Sequence, residues 1–268
     1  MGESYSESIR RILGSHYAEA FDGVVDKPPS RLLRGEGTER PYFILKIDLV
    51  ESTRLLLGKR RSTYLKLAHV FLSTVDRITQ DFGADASQVE YAGDSVLAYF
   101  PEDRVAAEDV ILAACYARAA VKYIQELDAV LGALKLQSKV VLHHGTLLMS
   151  KIGPRANTSL TAIGMPIHVV SKIEKEISPG MGRVTKEFFD KVDRQNRKFF
   201  LPVRRSVAGL SAPFSSPDPA QVGNEFYRLF GVKPPPQRES ITPPVQPELP
   251  IIGYSLNWVF LNRVLGIS

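Results

Sequence analysis

Residues 42–53 read YFILKIDLVEST, and residues 88–100 read QVEYAGDSVLAYF. The first is an aromatic and aliphatic run without turn formers, the pattern of a buried strand, and it ends on Asp48 where polar residues take over. Ser52 or Thr53 can cap a helix that carries Leu65, Ala68, Leu72, Val75, Ile78 and Phe82 on its apolar side. The second stretch divides into two short strands about Gly93-Asp94, residues suited to a hairpin turn. An Ala-rich helix is predicted from about Arg104 to Leu131. KVVLHHG (139–145) and TLLMSKIG (146–153) read as a further pair of strands. Pro166 to Ile177 reads as a short helix, GRVTKEFFDKV (182–192) as a weaker strand and helix, and EFYRLFGV (225–232) as a closing strand. The succession strand–helix–strand–strand–helix–strand predicts an α+β, ferredoxin-like βαββαβ domain, an antiparallel sheet with helices on one face.

Outward from this centre the chain changes texture. Residues 1–40 form an N-terminal arm, with Ile9, Ile12, Leu13 and Tyr17 at helical spacing and a basic, Gly-containing linker over Arg31–Arg40. Residues 41–232 are the predicted main domain. Residues 233–268 begin as a proline-rich extended linker and end on IIGYSLNWVFLNRVLGIS, an apolar arm expected to dock on its own domain or on a second subunit. That last segment is too short and too polar for stable membrane insertion.

The 268 residues carry 34 Lys plus Arg against 29 Asp plus Glu, a net charge of +5 spread along the chain. Nucleic-acid binding needs a clustered basic face, so this balance does not argue for it. The single cysteine, Cys115, excludes an intramolecular disulfide framework and any Cys-rich zinc site, and fits a reducing, cytoplasmic setting. The start, MGESYSESIRR, lacks the apolar core of a secretion signal.

Two acidic residues carry the functional expectation. Asp48 ends a strand and Asp94 sits in a hairpin tip, so neighbouring central strands can bring both carboxylates together. Two such carboxylates repel unless a hard divalent cation lies between them. Directly after Asp48, the backbone N–H groups of residues 49–53 open a helix N-terminus suited to phosphate. A nucleoside-triphosphate site follows from the combination. Taken singly, each aspartate would pass for a turn or cap residue.

With these residues the sequence resembles the class III nucleotidyl cyclase family over Tyr42 to about Ile177. DLVEST resembles the family's D-[IL]-V-G-[FS]-T, GDSVLAYF resembles G-D-x-x-[ML]-A, and TAIGMPIHVVSKIE resembles T-A-x-G-[DN]-x-V-N-x-A-x-R-L. The resemblance implies that Asp48 and Asp94 hold two divalent ions, Mg²⁺ or Mn²⁺, for in-line attack of the ribose 3′-hydroxyl on the α-phosphorus. It implies phosphate contacts from Leu49, Val50, Ser52 and Thr53, and a head-to-tail homodimer with interfacial sites.

Several positions depart from the family pattern. His168 stands where the family has a ribose-positioning Asn, and Lys172 where it has an Arg that steadies charge on the phosphate. His168 can still donate a hydrogen bond, and Lys172 keeps the charge without the planar fork. Glu51 replaces a Gly that allows close backbone approach. Glu90 occupies the position of the base-reading Lys of adenylate cyclases, and Thr161 the second base-reading position. A carboxylate facing the adenine N1 acceptor would leave a buried group unsatisfied at about 1–3 kcal/mol, whereas guanine, uracil and cytosine all present donors. The compact chain with His168, Lys172 and Glu90 is most similar to the bacterial pyrimidine cyclases of the Pycsar antiphage systems. That resemblance implies cyclic UMP or cyclic CMP synthesis and a separate effector activated by the product.

Three other features read as structural. Lys198, Arg204 and Arg205 lie where the family places a triphosphate-binding Lys, although a solvated basic surface is the default for each. His143 and His144 are adjacent on a strand and so point to opposite faces, which argues against a shared metal. Cys115, in an Ala-rich helix, reads as a small buried hydrophobe.

Overall fold

Alternation along a single strand organises the molecule. In β1 (Gly37–Val50), Phe43, Leu45, Ile47 and Leu49 enter one core, while Tyr42 and Ile44 enter another. Successive strand side chains point to opposite faces, so these are the two faces of one sheet. The computed structural model describes residues 5–19, 23–50, 61–85, 89–127, 129–154, 157–204, 251–258 and 261.

After β1, helix α2 (Arg61–Asp81) leads to the hairpin β2 (Val89–Ala92) and β3 (Ser95–Pro101). Helices α3 (Ala107–Glu126) and α4 (Ala129–Gly132) precede β4 (Gln137–Ile152), which folds back as β5 (Ser159–Ile163). Then come α5 (Met165–Glu176), β6 (Gly182–Val184), α6 (Lys186–Phe189) and β7 (Phe200–Arg204), and finally β8 (Ile251–Leu256). Helix α1 (Tyr5–Glu19) lies in the N-terminal arm with Ile9, Ile12, Leu13 and Tyr17 exposed.

The sheet order is β2-β3-β1-β4-β6-β8-β7, with β5 also paired to β4. Each neighbouring pair among its first four strands is antiparallel, the ferredoxin-like order expected from the sequence, while β6 runs parallel to β4. The two long helices share one face. From α2, Leu67, Phe71 and Val75 pack with Val110, Ala113, Ala114 and Cys115 of α3 onto the odd-numbered side of β1. Short α5 lies on the other face, where Val170 packs with Tyr42, Ile44, Tyr99 and Val141.

Four local readings are corrected. Gly37–Arg40 is strand rather than linker, because β4 is long enough to pair with it. KVVLHHG and TLLMSKIG are one continuous strand. Gly145 sits inside it not to turn but because a Cβ there would lie 2.7 Å from Pro166 Cγ, so the start of α5 can approach closely. Leu65, expected on the apolar side of its helix, is 70% exposed, roughly 120° around from Phe71. The hairpin strand β5 carries no separate signal in the sequence.

The expected strand at 225–232 lies outside the described residues. From the C-terminal arm, β8 pairs with both β6 and β7, and Trp258 and Leu261 are buried in the helix-side core. A Cβ at Gly182 would meet the Trp258 ring at 2.4 Å, and Arg118 stacks over that ring 4.8 Å from its centroid.

Candidate functional site

Register brings the two aspartates together. Asp48 pairs across to Ser95 of β3, and Asp94 directly precedes that residue at the turn, where Gly93 takes φ +68°. Directly opposed strand residues have Cβ atoms about 4.5–5.5 Å apart, so Asp94 lies one position from such a contact. Asp48 is half-buried on the same face as Tyr42 and Ile44. Its carboxyl is pushed up to about 6, first by burial, then by the negative charges of Asp94 and Glu174. Asp94 also helps to raise the Tyr64 phenol, after burial. Two neighbouring carboxylates form a donor set of hard oxygens, which fits a divalent cation. Among the described residues no group of three or more His, Cys, Asp or Glu converges on a metal position, so further oxygen ligands must come from elsewhere, such as a polyphosphate.

Three charged residues beside Asp48 were not singled out from the sequence. Lys139 of β4 is its cross-strand partner, and Lys46 lies two residues earlier on the same face. Both converge on Glu174 of α5, Lys46 Nζ at 3.6 Å from Oε2 and Lys139 Nζ at 3.5 Å from Oε1. Lys139 also donates to the Glu174 carbonyl at 3.2 Å, and Lys46 to Ser171 Oγ at 3.5 Å. The one available signal was Lys46 itself, a lysine inside an otherwise apolar strand, since β-strand lysines bury readily only when paired.

Glu90 reaches the strand that carries Thr161. Glu90 of β2 accepts a hydrogen bond from the Ala162 N–H of β5 at 3.2 Å, adjacent to Thr161. Glu90 and Thr161 are both half-buried, so Glu90 is not a freely solvated strand residue. Burial chiefly, with the charge of Glu90, pushes the Tyr99 phenol well above its usual range.

His168 and Lys172 sit one turn apart on α5, both exposed and turned away from the core residue Val170. Leu49 is buried in the helix-side core, which leaves its backbone rather than its side chain for a ligand, and Val50 is half-buried. Glu51, Ser52, Thr53 and Arg205 lie outside the described residues, as does the Arg204 side chain. Lys198 is exposed, 5.4 Å from the centroid of the Phe199 ring. His143 and His144 do diverge: His143 Nδ1 is 2.9 Å from Thr185 Oγ1, while His144 Nε2 is 3.0 Å from Glu102 Oε2. Cys115 is buried, and its thiol is pushed up to about 12 by that burial.

No family model matches the chain. Uncharacterized proteins of Mycobacterium bovis and Mycobacterium tuberculosis are 25% identical to it over 170 residues, 62% of this chain but only 29% of theirs. The chain therefore spans less than a third of the length of these curated relatives. Among solved structures, a guanylyl cyclase superposes at TM-score 0.55 with 18% identity, over 68% of this chain and 96% of that one. An adenylyl cyclase from P. aeruginosa gives TM-score 0.53 with 17% identity, over 67% and 93%. A class III adenylyl cyclase-like ATP-binding protein from Pseudomonas aeruginosa gives 0.55 with 17% identity, over 72% and 44%. These likenesses show that the chain has the fold of a cyclase domain. No described helix is long and apolar enough to cross a membrane.

Proposed function

We propose that the chain is a class III nucleotidyl cyclase that converts a nucleoside triphosphate, UTP or CTP by preference, to its 3′,5′-cyclic nucleotide and pyrophosphate. The observation that supports this most is the meeting of Asp48 and Asp94 on paired central strands of a cyclase fold, with Asp48 pushed up to about 6 by burial and by its neighbour. Two divalent cations, Mg²⁺ or Mn²⁺, held by Asp48 and Asp94 would supply Lewis-acid activation of the 3′-hydroxyl and neutralise triphosphate charge. The chain's own groups bind and orient. Glu90, fixed against β5 beside Thr161, accepts from a base N–H, as uracil N3–H or the cytosine amino group offers. His168 donates to the ribose, and Lys172 steadies charge on the phosphate. Backbone N–H groups of residues 49–53 hold the polyphosphate.

His168 and Lys172 face solvent in one chain, and act across a homodimer interface in which each subunit completes its partner's site. Exposed apolar residues beside them, Met165 at 72% and Ile163 at 41%, support such a covering. The product acts as a second messenger in bacterial antiphage defence, in the cytoplasm, on a separate effector. No nucleic-acid partner and no stable membrane insertion enters this scheme.

Incubating the protein with ATP, GTP, UTP and CTP separately, with Mn²⁺, and chromatographing the products tests the proposal. A cyclic pyrimidine nucleotide is the expected product, cyclic AMP or cyclic GMP would make it a purine cyclase, and no cyclic product from any substrate would overturn it. A second reading has a specific observation behind it: one neighbour of the same TM-score is described as a cyclase-like ATP-binding protein. In that case the chain binds nucleotide without turnover and signals by dimerisation, and product formation would rule it out.

A further inference from the structure

Asp48 lies between two lysines whose ammonium groups are both turned to another carboxylate. Lys139 is directly opposite it on β4, Lys46 is two residues away on the same face, and both side chains are nearly enclosed, at 17% and 13% exposure. Two ammonium groups so placed would ordinarily pair with the aspartate and hold it below the usual carboxylate range. They are turned instead to Glu174, which receives one lysine on each oxygen, at 3.6 Å and 3.5 Å, and is itself only 13% exposed. We propose that Glu174 is a positioning residue: its carboxylate draws Lys46 and Lys139 away from Asp48 and so keeps that carboxylate open to a divalent cation. This rests on the proposed cyclase site and deepens it. It also ties α5, which carries His168 and Lys172, to the strand that carries Asp48. Bond donation from Lys139 to the Glu174 carbonyl and from Lys46 to Ser171 would survive loss of the carboxylate, so α5 should stay docked.

Mn²⁺ alone is the probe, its free concentration read by electron paramagnetic resonance as the full-length protein is titrated, alongside thermal melts. Wild type should bind Mn²⁺ and Asp48→Asn should not, which tests the site itself. Glu174→Gln should weaken Mn²⁺ binding about fivefold, the scale of one or two partly enclosed ion pairs. Glu174→Asp keeps the charge but is a methylene too short to reach both lysines, and should also weaken binding, by about threefold. Full-affinity binding in Glu174→Asp with loss in Glu174→Gln would mean that general charge, not the bridging, matters, and would overturn the inference. Unchanged affinity in both variants would overturn it as well, even where the melts shift, because that pattern is a purely structural role. Failure of wild type to bind, or retention in Asp48→Asn, would instead overturn the metal site on which the inference rests.

Discussion

The two faces of the sheet are built from alternate residues of the same strands but to different ends. The helix side is apolar throughout: Phe43, Leu45, Ile47 and Leu49 meet the ridges of α2 and α3, with Phe71, Val75 and Cys115 fully enclosed. The α5 side starts the same way, with Tyr42 and Ile44, and then turns charged at Lys46, Asp48, Lys139 and Glu174. Burying apolar groups stabilises, whereas half-burying a cluster of charges costs free energy unless each is compensated. One face is packing alone, whereas the other joins a second apolar core to a charged cluster that a bound cation would further compensate. Such a division is the usual relation between scaffold and site.

Substitutions can test that contrast directly. The largest effect expected is on turnover: Asp48→Ala and Asp94→Ala should each reduce pyrophosphate release by at least about a thousandfold, without lowering the thermal midpoint. An unfolded variant, or one that keeps its rate, would break the contrast. Next, Phe71→Ala on the helix side should lower unfolding free energy by about 3–5 kcal/mol in urea titrations, while the folded fraction keeps its activity. Glu90→Lys should move substrate preference towards ATP by roughly tenfold in competition assays, because an acceptor is replaced by a donor beside β5.

The smallest effect concerns pH. Asp48 titrates near 6 in the folded chain, above the ~3.9 of an unfolded aspartate, so the native state holds the extra proton between those values. Its contribution to stability is therefore present at low pH and is lost as pH rises through 6. In metal-free protein, Asp48→Asn should raise the thermal midpoint by about a degree or two at pH 8, and the gain should shrink towards pH 4. Added Mn²⁺ should stabilise wild type and not this variant.

The sequence made the centre of the fold legible because its strands are unambiguous. YFILKIDLV cannot be an exposed loop, and Gly93-Asp94 is a turn by chemistry alone. From there register did the rest, since pairing Asp48 with Ser95 leaves Asp94 one step away. What the sequence hid was of two kinds. Gly145 looked like punctuation because close approach of Pro166 is a long-range cause, invisible at 21 residues' separation. Glu174 looked like one more acidic residue on a helix, and its place between Lys46 and Lys139 depends on α5 crossing to the face opposite α2 and α3. The expected apolar side of α2 holds at Val75, with Leu72, Ile78 and Phe82 packed against the core, but the buried stripe is centred on Leu67-Phe71-Val75-Thr79 and leaves Leu65 exposed.

The pairing of β8 bears on how the chain is made. Among the described residues β7 pairs only with residues 251–256, after the intervening stretch 205–250, so during synthesis this edge of the sheet forms later than its centre. The four central strands are complete once residue 152 has emerged. Entropy is no great obstacle to the late step, because the penalty for closing a long loop grows only logarithmically with its length. Deleting residues 251–261 should therefore lower the yield of folded protein more than deleting residues 5–19, whose Ile9, Ile12, Leu13 and Tyr17 are exposed.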